Sequence, residues 1–100
     1  MSGSRWHVYL LDCDARAIYT GITTDVQRRV SEHAAGGRRA ARFTRGCRQL
    51  CLLYAVEVGE RGLATRIEAR LRKLPRTAKA GIAAATPNVA QLLERIGLDA

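Results

Sequence analysis

The sequence predicts an α+β domain: one small, mostly antiparallel sheet with helices packed on it. Three observations carry that expectation. Two apolar runs, Trp6 to Leu11 and Ala17 to Ile22, are separated by five polar, turn-forming residues, the spacing of an antiparallel hairpin. A third run, Gln49 to Val58, is the most strand-like stretch of the chain. Apolar residues at helical spacing fill the segments after the hairpin and after the third run. The predicted order is β-β-α-β-α-α-α.

Taken in order, the first strand is Trp, Val, Tyr, Leu and Leu with little polarity. Asp12 to Arg16 forms its turn. The second strand ends in Tyr19-Thr20-Gly21-Ile22. Thr24 followed by Gln27 reads as a capping box, opening a helix to about Ala35 that Gly36-Gly37 stops. Val26, Val30 and Ala34 mark its buried stripe. Arg38 to Arg48 is a connection with five arginines in eleven residues. The third strand has apolar residues on both sides, which predicts a strand covered on both faces with Cys51 packed as a small apolar residue. Gly59 to Gly62 turns the chain. Leu63, Ile67, Leu71 and Leu74 then define a helix that Pro75 closes; Pro75 can stand at N1 of the next, Arg76 to Ala85. A last short helix starts at Thr86-Pro87 and runs to about Ile96, with Gly97 as its stop. Residues 1–85 are expected to form the domain, with 86–100 packed on it or trailing.

One hundred residues make one domain, and 47% hydrophobic content makes it a folded one. No apolar run reaches the roughly 18 residues of a membrane span. The first residues lack the apolar core of a signal peptide, so the expected place is the cytoplasm. Three cysteines are an odd, sparse set, arguing against a disulfide framework and for a reducing compartment. Cys47 and Cys51 with His33 or His7 make a weak zinc pattern, because no second pair has ligand spacing. Lys and Arg total 17 against 9 acids, giving +8. That field attracts polyanions and makes nucleic acid the first partner to consider. Codon bias explains arginine over lysine, but not the excess of bases over acids. Arg38, Arg39, Arg42, Arg45 and Arg48 form its densest stretch.

Within this pattern some residues are candidates for chemistry. Arg29 and His33 are four apart and stack on one flank of the first helix's stripe, while Arg28 falls on the solvent side. A snorkelling arginine and a rim histidine fit that placement as well as a shared cleft does. Glu68 borders the stripe of the later helix, surrounded by Arg61, Arg66, Arg70, Arg72 and Lys73. It fits an i,i+4 pair with Arg72; equally, a divalent cation would reconcile a lone carboxylate with phosphates drawn to those bases. Tyr9 and Tyr19 on the hairpin are common strand residues, or phenols that handle protons and orient water.

In order, Val8-Tyr9-Leu10, Tyr19-Thr20-Gly21, Arg29, His33 and Glu68 resemble the GIY-YIG endonuclease superfamily. The stretch from Ile18 to Arg29 is similar to its small stand-alone bacterial branch. The likeness continues through Arg42-Phe43-Thr44-Arg45-Gly46, Leu53-Tyr54 and Arg72-Lys73-Leu74, covering roughly residues 5 to 85. It implies a three-stranded antiparallel sheet flanked by helices and a metal-dependent DNA endonuclease, linked to repair or recombination and directed by structure. It also implies one divalent metal, Mg²⁺ or Mn²⁺, held by Glu68. Arg29 would stabilise the scissile phosphate, and Tyr9, Tyr19 and His33 would activate or position water. Arg28, Arg38, Arg39, Arg42, Arg45, Arg72 and Lys73 are the expected nucleic-acid contacts. The chain departs from the family pattern at three places: His7-Val8-Tyr9 stands for Gly-Ile-Tyr, Thr20 for Ile, and Ile22 where some repair relatives carry lysine. Without an added DNA-binding domain, specificity would be structural, weak, or supplied by a protein partner. A binding module that does not cut, an RNA substrate, and an adaptor for an acidic protein are the alternative readings.

Overall fold

A computed structural model of the chain describes residues 5–36, 44 and 46–99. Strand β1 (Trp6–Cys13) and strand β2 (Ala17–Thr23) form the hairpin, followed by helix α1 (Val26–Ala35) and strand β3 (Leu50–Gly59). Three helices complete the order: α2 (Arg61–Arg72), α3 (Arg76–Ala85) and α4 (Val89–Ile96). The sheet is antiparallel throughout in the order β2-β1-β3, so the first strand lies in the middle. The predicted α+β architecture is therefore the observed one.

That position explains the composition of β1. A middle strand has both faces covered, and Val8, Tyr9, Leu10 and Leu11 are all buried. Val8 and Leu10 join one core with Ile18, Tyr54, Ala64, Ile67, Leu71, Ile82, Leu92 and Leu93. Helices α2, α3 and α4 supply the upper layer of that core. Tyr9, between Val8 and Leu10, points to the opposite face, where it meets α1. Helix α4 is part of this packing: Leu92 and Leu93 are buried, and the buried hydroxyl of Tyr54 on β3 donates to the Pro87 carbonyl at its entry.

Several sequence expectations are corrected. Strand β3 is not covered on both faces; it is an edge strand, with Cys51, Leu52, Ala55 and Glu57 exposed. A bulge explains the partition. Leu10 pairs with Tyr54 but Leu11 pairs with Leu52, so Leu53 is the extra residue. The added residue reverses the alternation, turning Leu53 to the core and leaving Leu52 at 42% exposure. The hairpin turn is shorter than five residues because β1 runs on to Cys13; only Asp14 to Arg16 remain before β2 starts at Ala17 as expected, with Asp14 and Ala15 in the left-handed region. The cap of α1 is Asp25, whose carboxylate accepts from Arg28 N, while Thr23 Oγ1 accepts from Asp25 N. Pro75 precedes α3 as its N-cap instead of occupying its first turn. Asn88 caps α4 in a full capping box with Gln91, one residue past the expected Pro87. Gly36 and Gly97 end α1 and α4 at positive φ, as expected.

The cysteines also differ from expectation. Cys13, at the end of β1, is joined to Cys47 by a disulfide with Cα atoms 5.5 Å apart, and Cys51 is exposed. The two positions are 34 apart in sequence, and only the tertiary fold brings them together. Asp14 reinforces the junction: its carboxylate accepts from Arg48 N and Gln49 N, at 3.0 and 2.7 Å.

Thr20 carries a testable cost. It is 3% exposed on the core side of β2, and its hydroxyl has no hydrogen-bond partner among the described residues. A buried unpaired hydroxyl costs about 1–3 kcal/mol. Thr20→Val keeps the shape and removes the hydroxyl. It is expected to stabilise the fold by about 1 kcal/mol, read as a higher urea midpoint at unchanged slope.

Candidate active site

The site is built around Tyr9. In the hairpin register Tyr9 lies opposite Gly21, and its ring crosses the bare backbone there. A Cβ placed on Gly21 would sit 2.5 Å from Tyr9 Cζ and 2.9 Å from Cε1, and would collide with the hydroxyl. Glycine at this position therefore makes room for the ring. Tyr19, on the same face of β2, tilts against it with ring centroids 6.3 Å apart.

Helix α1 closes the site from above. Its buried residue is His33, 1% exposed; of the expected stripe, Val26 and Val30 are half-buried and Ala34 is exposed. The imidazole is thus the core contact of the helix rather than a rim group. His33 Nε2 lies 2.9 Å from the Tyr9 hydroxyl, and Nδ1 lies 2.8 Å from Thr44 Oγ1. The His33 ring stands edge-on to Tyr19, with centroids 5.2 Å apart. Tyr9, Tyr19 and His33 therefore form one aromatic cluster contributed by β1, β2 and α1.

Arg29, one turn before His33, has a quarter of its side chain exposed and donates to Glu32 Oε1 at 3.0 Å. Its guanidinium also reaches the Tyr9 hydroxyl. Burial works against its charge, but Glu32 and Tyr9 more than offset that and hold its pKa above the ordinary value. Arg28, by contrast, has 60% of its side chain exposed, as the helical wheel predicts. On α2, Glu68 is mostly covered, and Arg72 donates to its Oε2 at 3.3 Å. The expected ion pair is present, yet the same carboxylate acts on Tyr9 through its charge. Burial, with Tyr19 next in weight, pushes the Tyr9 phenol up to about 12, against the opposing pull of Arg29. Burial and then the Arg29 charge hold His33 below its ordinary value. Near neutral pH the cluster therefore pairs a protonated phenol with a neutral imidazole.

The remaining expected residues divide. Arg72 and Lys73 are exposed at the end of α2. Arg38, Arg39, Arg42 and Arg45 lie outside the described residues. Two bases counted around Glu68 have structural contacts: Arg61 stacks over Trp6, and Arg70 donates to the Ile96 and Gly97 carbonyls. The sequence pattern gave no weight to Glu32 or Thr44. Glu32 is signalled by its i,i+3 spacing from Arg29. Thr44 entered only within the likeness of Arg42-Phe43-Thr44-Arg45-Gly46, and no local period ties it to His33, eleven residues earlier.

Among the described residues, one group of three possible metal ligands clusters: Cys13, Asp14 and Cys47. Its sulfurs are bonded to each other and its carboxylate to backbone N–H groups. Cys47, Cys51 and His33, the weak zinc pattern, are each placed in a different setting. Glu68 offers a hard oxygen donor, mostly covered, with exposed bases beside it. Such a donor suits Mg²⁺, which usually takes one or two protein carboxylates and completes its shell with water and substrate phosphates. Glu68 thus has the chemistry of a ligand for a hard divalent cation.

Residues 5–81 match the GIY-YIG catalytic domain. The chain belongs to the GIY-YIG family. A UPF0213 protein of Yersinia enterocolitica is 43% identical over 79 residues, covering 79% of each chain. A UPF0213 protein of Yersinia pestis strain Pestoides F is also 43% identical, over 79% of this chain and 81% of its own. The solution NMR structure of a UPF0213 protein from Bacillus halodurans superposes with a TM-score of 0.51 at 28% identity, covering 95% of this chain and 99% of that one. GIY-YIG membership places the chain in a nuclease family with nucleic acid as the implied substrate. No helix among the described residues is long and apolar enough to cross a membrane.

Two outcomes test the site's construction. Gly21→Ala should displace the Tyr9 ring from His33 and lower any cleavage about 100-fold, since misplacement by an ångström costs that much. A crystal structure or ring NMR shifts should show the displaced phenol. The second outcome concerns pH. His33 has a depressed folded-state pKa, so its stability contribution is present above about 6.5 and is lost as pH falls through the folded-state value. The urea midpoint should fall below about pH 6.5, and His33→Gln should flatten that fall.

Proposed function

We propose that this chain is a metal-dependent DNA endonuclease, directed by DNA structure and acting in repair or recombination in the cytoplasm. The observation that carries the reading is the convergence of a phenol-imidazole pair, a partly covered guanidinium and a carboxylate on one site. These are the groups that hydrolysis of a phosphodiester needs: a proton acceptor for water, a cation for the developing negative charge, and an anchor for a hard metal.

In the proposed reaction Arg29 leaves Glu32 and pairs with the scissile phosphate, whose charge it stabilises. A water beside Tyr9 attacks phosphorus in line. The water oxygen bonds phosphorus while the opposite P–O bond breaks. The water's proton passes to the Tyr9 oxygen as the phenol's own proton moves to His33 Nε2. The departing alkoxide takes a proton from solvent. Tyr19 holds the aromatic wall against which this exchange occurs. Glu68, released from Arg72, would hold one divalent cation, Mg²⁺ with Mn²⁺ as an alternative, which supplies charge neutralisation at the phosphate. Arg28, Arg72 and Lys73, all exposed, would contact flanking phosphates, together with Arg38, Arg39, Arg42 and Arg45. A protein partner would supply any specificity beyond DNA shape.

Two comparisons test this. Glu68→Gln keeps size and helix propensity but removes the charge a hard cation needs. It should fold, bind DNA as well or better in chelator, and lose Mg²⁺-dependent cutting of flaps, nicks and junctions. Parental cutting by this variant would withdraw the metal assignment, and cutting by neither protein would favour a binding module. Arg29→Ala should lose about 10²–10³ in rate at saturating DNA, whereas Arg28→Ala should mainly weaken binding. Equal losses would remove the distinction.

A further inference from the structure

Resting on that reading of the site, we infer that Thr44 is a positioning residue: its hydroxyl fixes the His33 tautomer so that bare Nε2 faces the Tyr9 hydroxyl. The chain of contacts is Tyr9 Oη to His33 Nε2 at 2.9 Å, then His33 Nδ1 to Thr44 Oγ1 at 2.8 Å. All three side chains are essentially buried.

A neutral imidazole carries one N–H, and the partner of one nitrogen decides which nitrogen holds it. The Tyr9 phenol is protonated at neutral pH, the more so because burial pushes it up to about 12, and it is available as a donor toward Nε2. With the proton on Nδ1, the imidazole donates to Thr44 Oγ1, which accepts. Every member of the line is then satisfied in one direction: Tyr9 to His33, His33 to Thr44. The opposite tautomer places Nε2–H against the phenol and removes the acceptor that the proposed proton transfer requires. Other charged and aromatic groups also face His33. Arg29 and Glu32 act through their charges, and Tyr19 presents its ring to the imidazole edge.

The surroundings hold Thr44 in place. Its carbonyl accepts from Cys47 N at 3.2 Å, and Cys47 is bonded to Cys13 at the end of β1. Asp14 grips the next two backbone N–H groups, of Arg48 and Gln49. The segment is therefore tied to the same hairpin that carries Tyr9 and Tyr19. A hydroxyl on a loop acquires fixed geometry toward a histidine on a helix because both are referenced to one sheet.

Nitrogen-15 NMR of the labelled full chain at pH 7.5 tests the inference without requiring cleavage. Long-range couplings distinguish the two tautomers, and His7→Gln assigns the signals. The expected result is the Nδ1–H form for His33 in the parent, a loss of that preference in Thr44→Val, and its return in Thr44→Ser. On flap or nicked DNA, Thr44→Val should lower kcat about 10–100-fold with KM changed less than twofold, and Thr44→Ser should restore it. An Nε2–H tautomer in the parent overturns the inference, as does an unchanged tautomer in folded Thr44→Val. If the parent shows the expected tautomer but cuts no substrate, the nuclease reading fails while the placement of His33 by Thr44 stands.

Discussion

The crossing of the Tyr9 ring over Gly21 sets the geometry of the whole site. It requires a central strand, because only a residue buried on both sides has its ring direction fixed by packing. It requires glycine on the neighbouring strand, because any Cβ there occupies the space of the phenol. It sends the hydroxyl toward α1, where the single fully buried side chain of that helix is a histidine. A hydrophobic residue at position 33 would pack equally well; an imidazole there is bought at the cost of burying two nitrogens, and the phenol and Thr44 satisfy them.

The charged groups stand on the outer side of this buried pair, and each is held in the absence of nucleic acid by a neighbour on its own helix. Arg29 rests on Glu32, and Glu68 rests on Arg72. Such short-range pairs are weak in water, on the order of a few tenths of a kcal/mol. A phosphate competes with them easily. Each charge is thus neutralised by a neighbour on its own helix, at little energetic expense to a later exchange of partners.

The fold was legible where one physical rule decided the outcome. Two apolar runs and the turn chemistry between them marked the hairpin, and helical spacing marked α2 through Ile67 and Leu71, both buried as expected. The helical wheel separated exposed Arg28 from half-covered Arg29. It misplaced His33, because spacing cannot tell a flank from a core when the neighbouring layer is itself polar. The two-sided apolar pattern of β3 suggested burial that belongs to β1: a bulge at Leu53 shifts the alternation, and strand order is a tertiary fact. Cys13, Cys47 and Thr44 were opaque for the same reason, since each finds its partner through loops rather than through any local period.

The Cys13–Cys47 bond divides the molecule topologically. It closes a covalent ring over a sequence separation of 34, and that ring contains Tyr19, Gly21, Arg29, His33 and Thr44. Tyr9 and Glu68 lie outside it. Closing a ring of that size lowers the disorder of the unfolded chain by roughly 3–4 kcal/mol at 25 °C in the chain-entropy description. When the sheet opens, the enclosed segment, about a third of the chain, keeps its ends joined, while the larger remainder, including the central strand ahead of Cys13, is free to leave. Reassembly then starts from a chain already closed across that separation rather than from a fully open one. The strands do not part along that line, however: β2 pairs only with β1, so its ladder amides would lose protection when β1 leaves even though the ring that holds them stays closed.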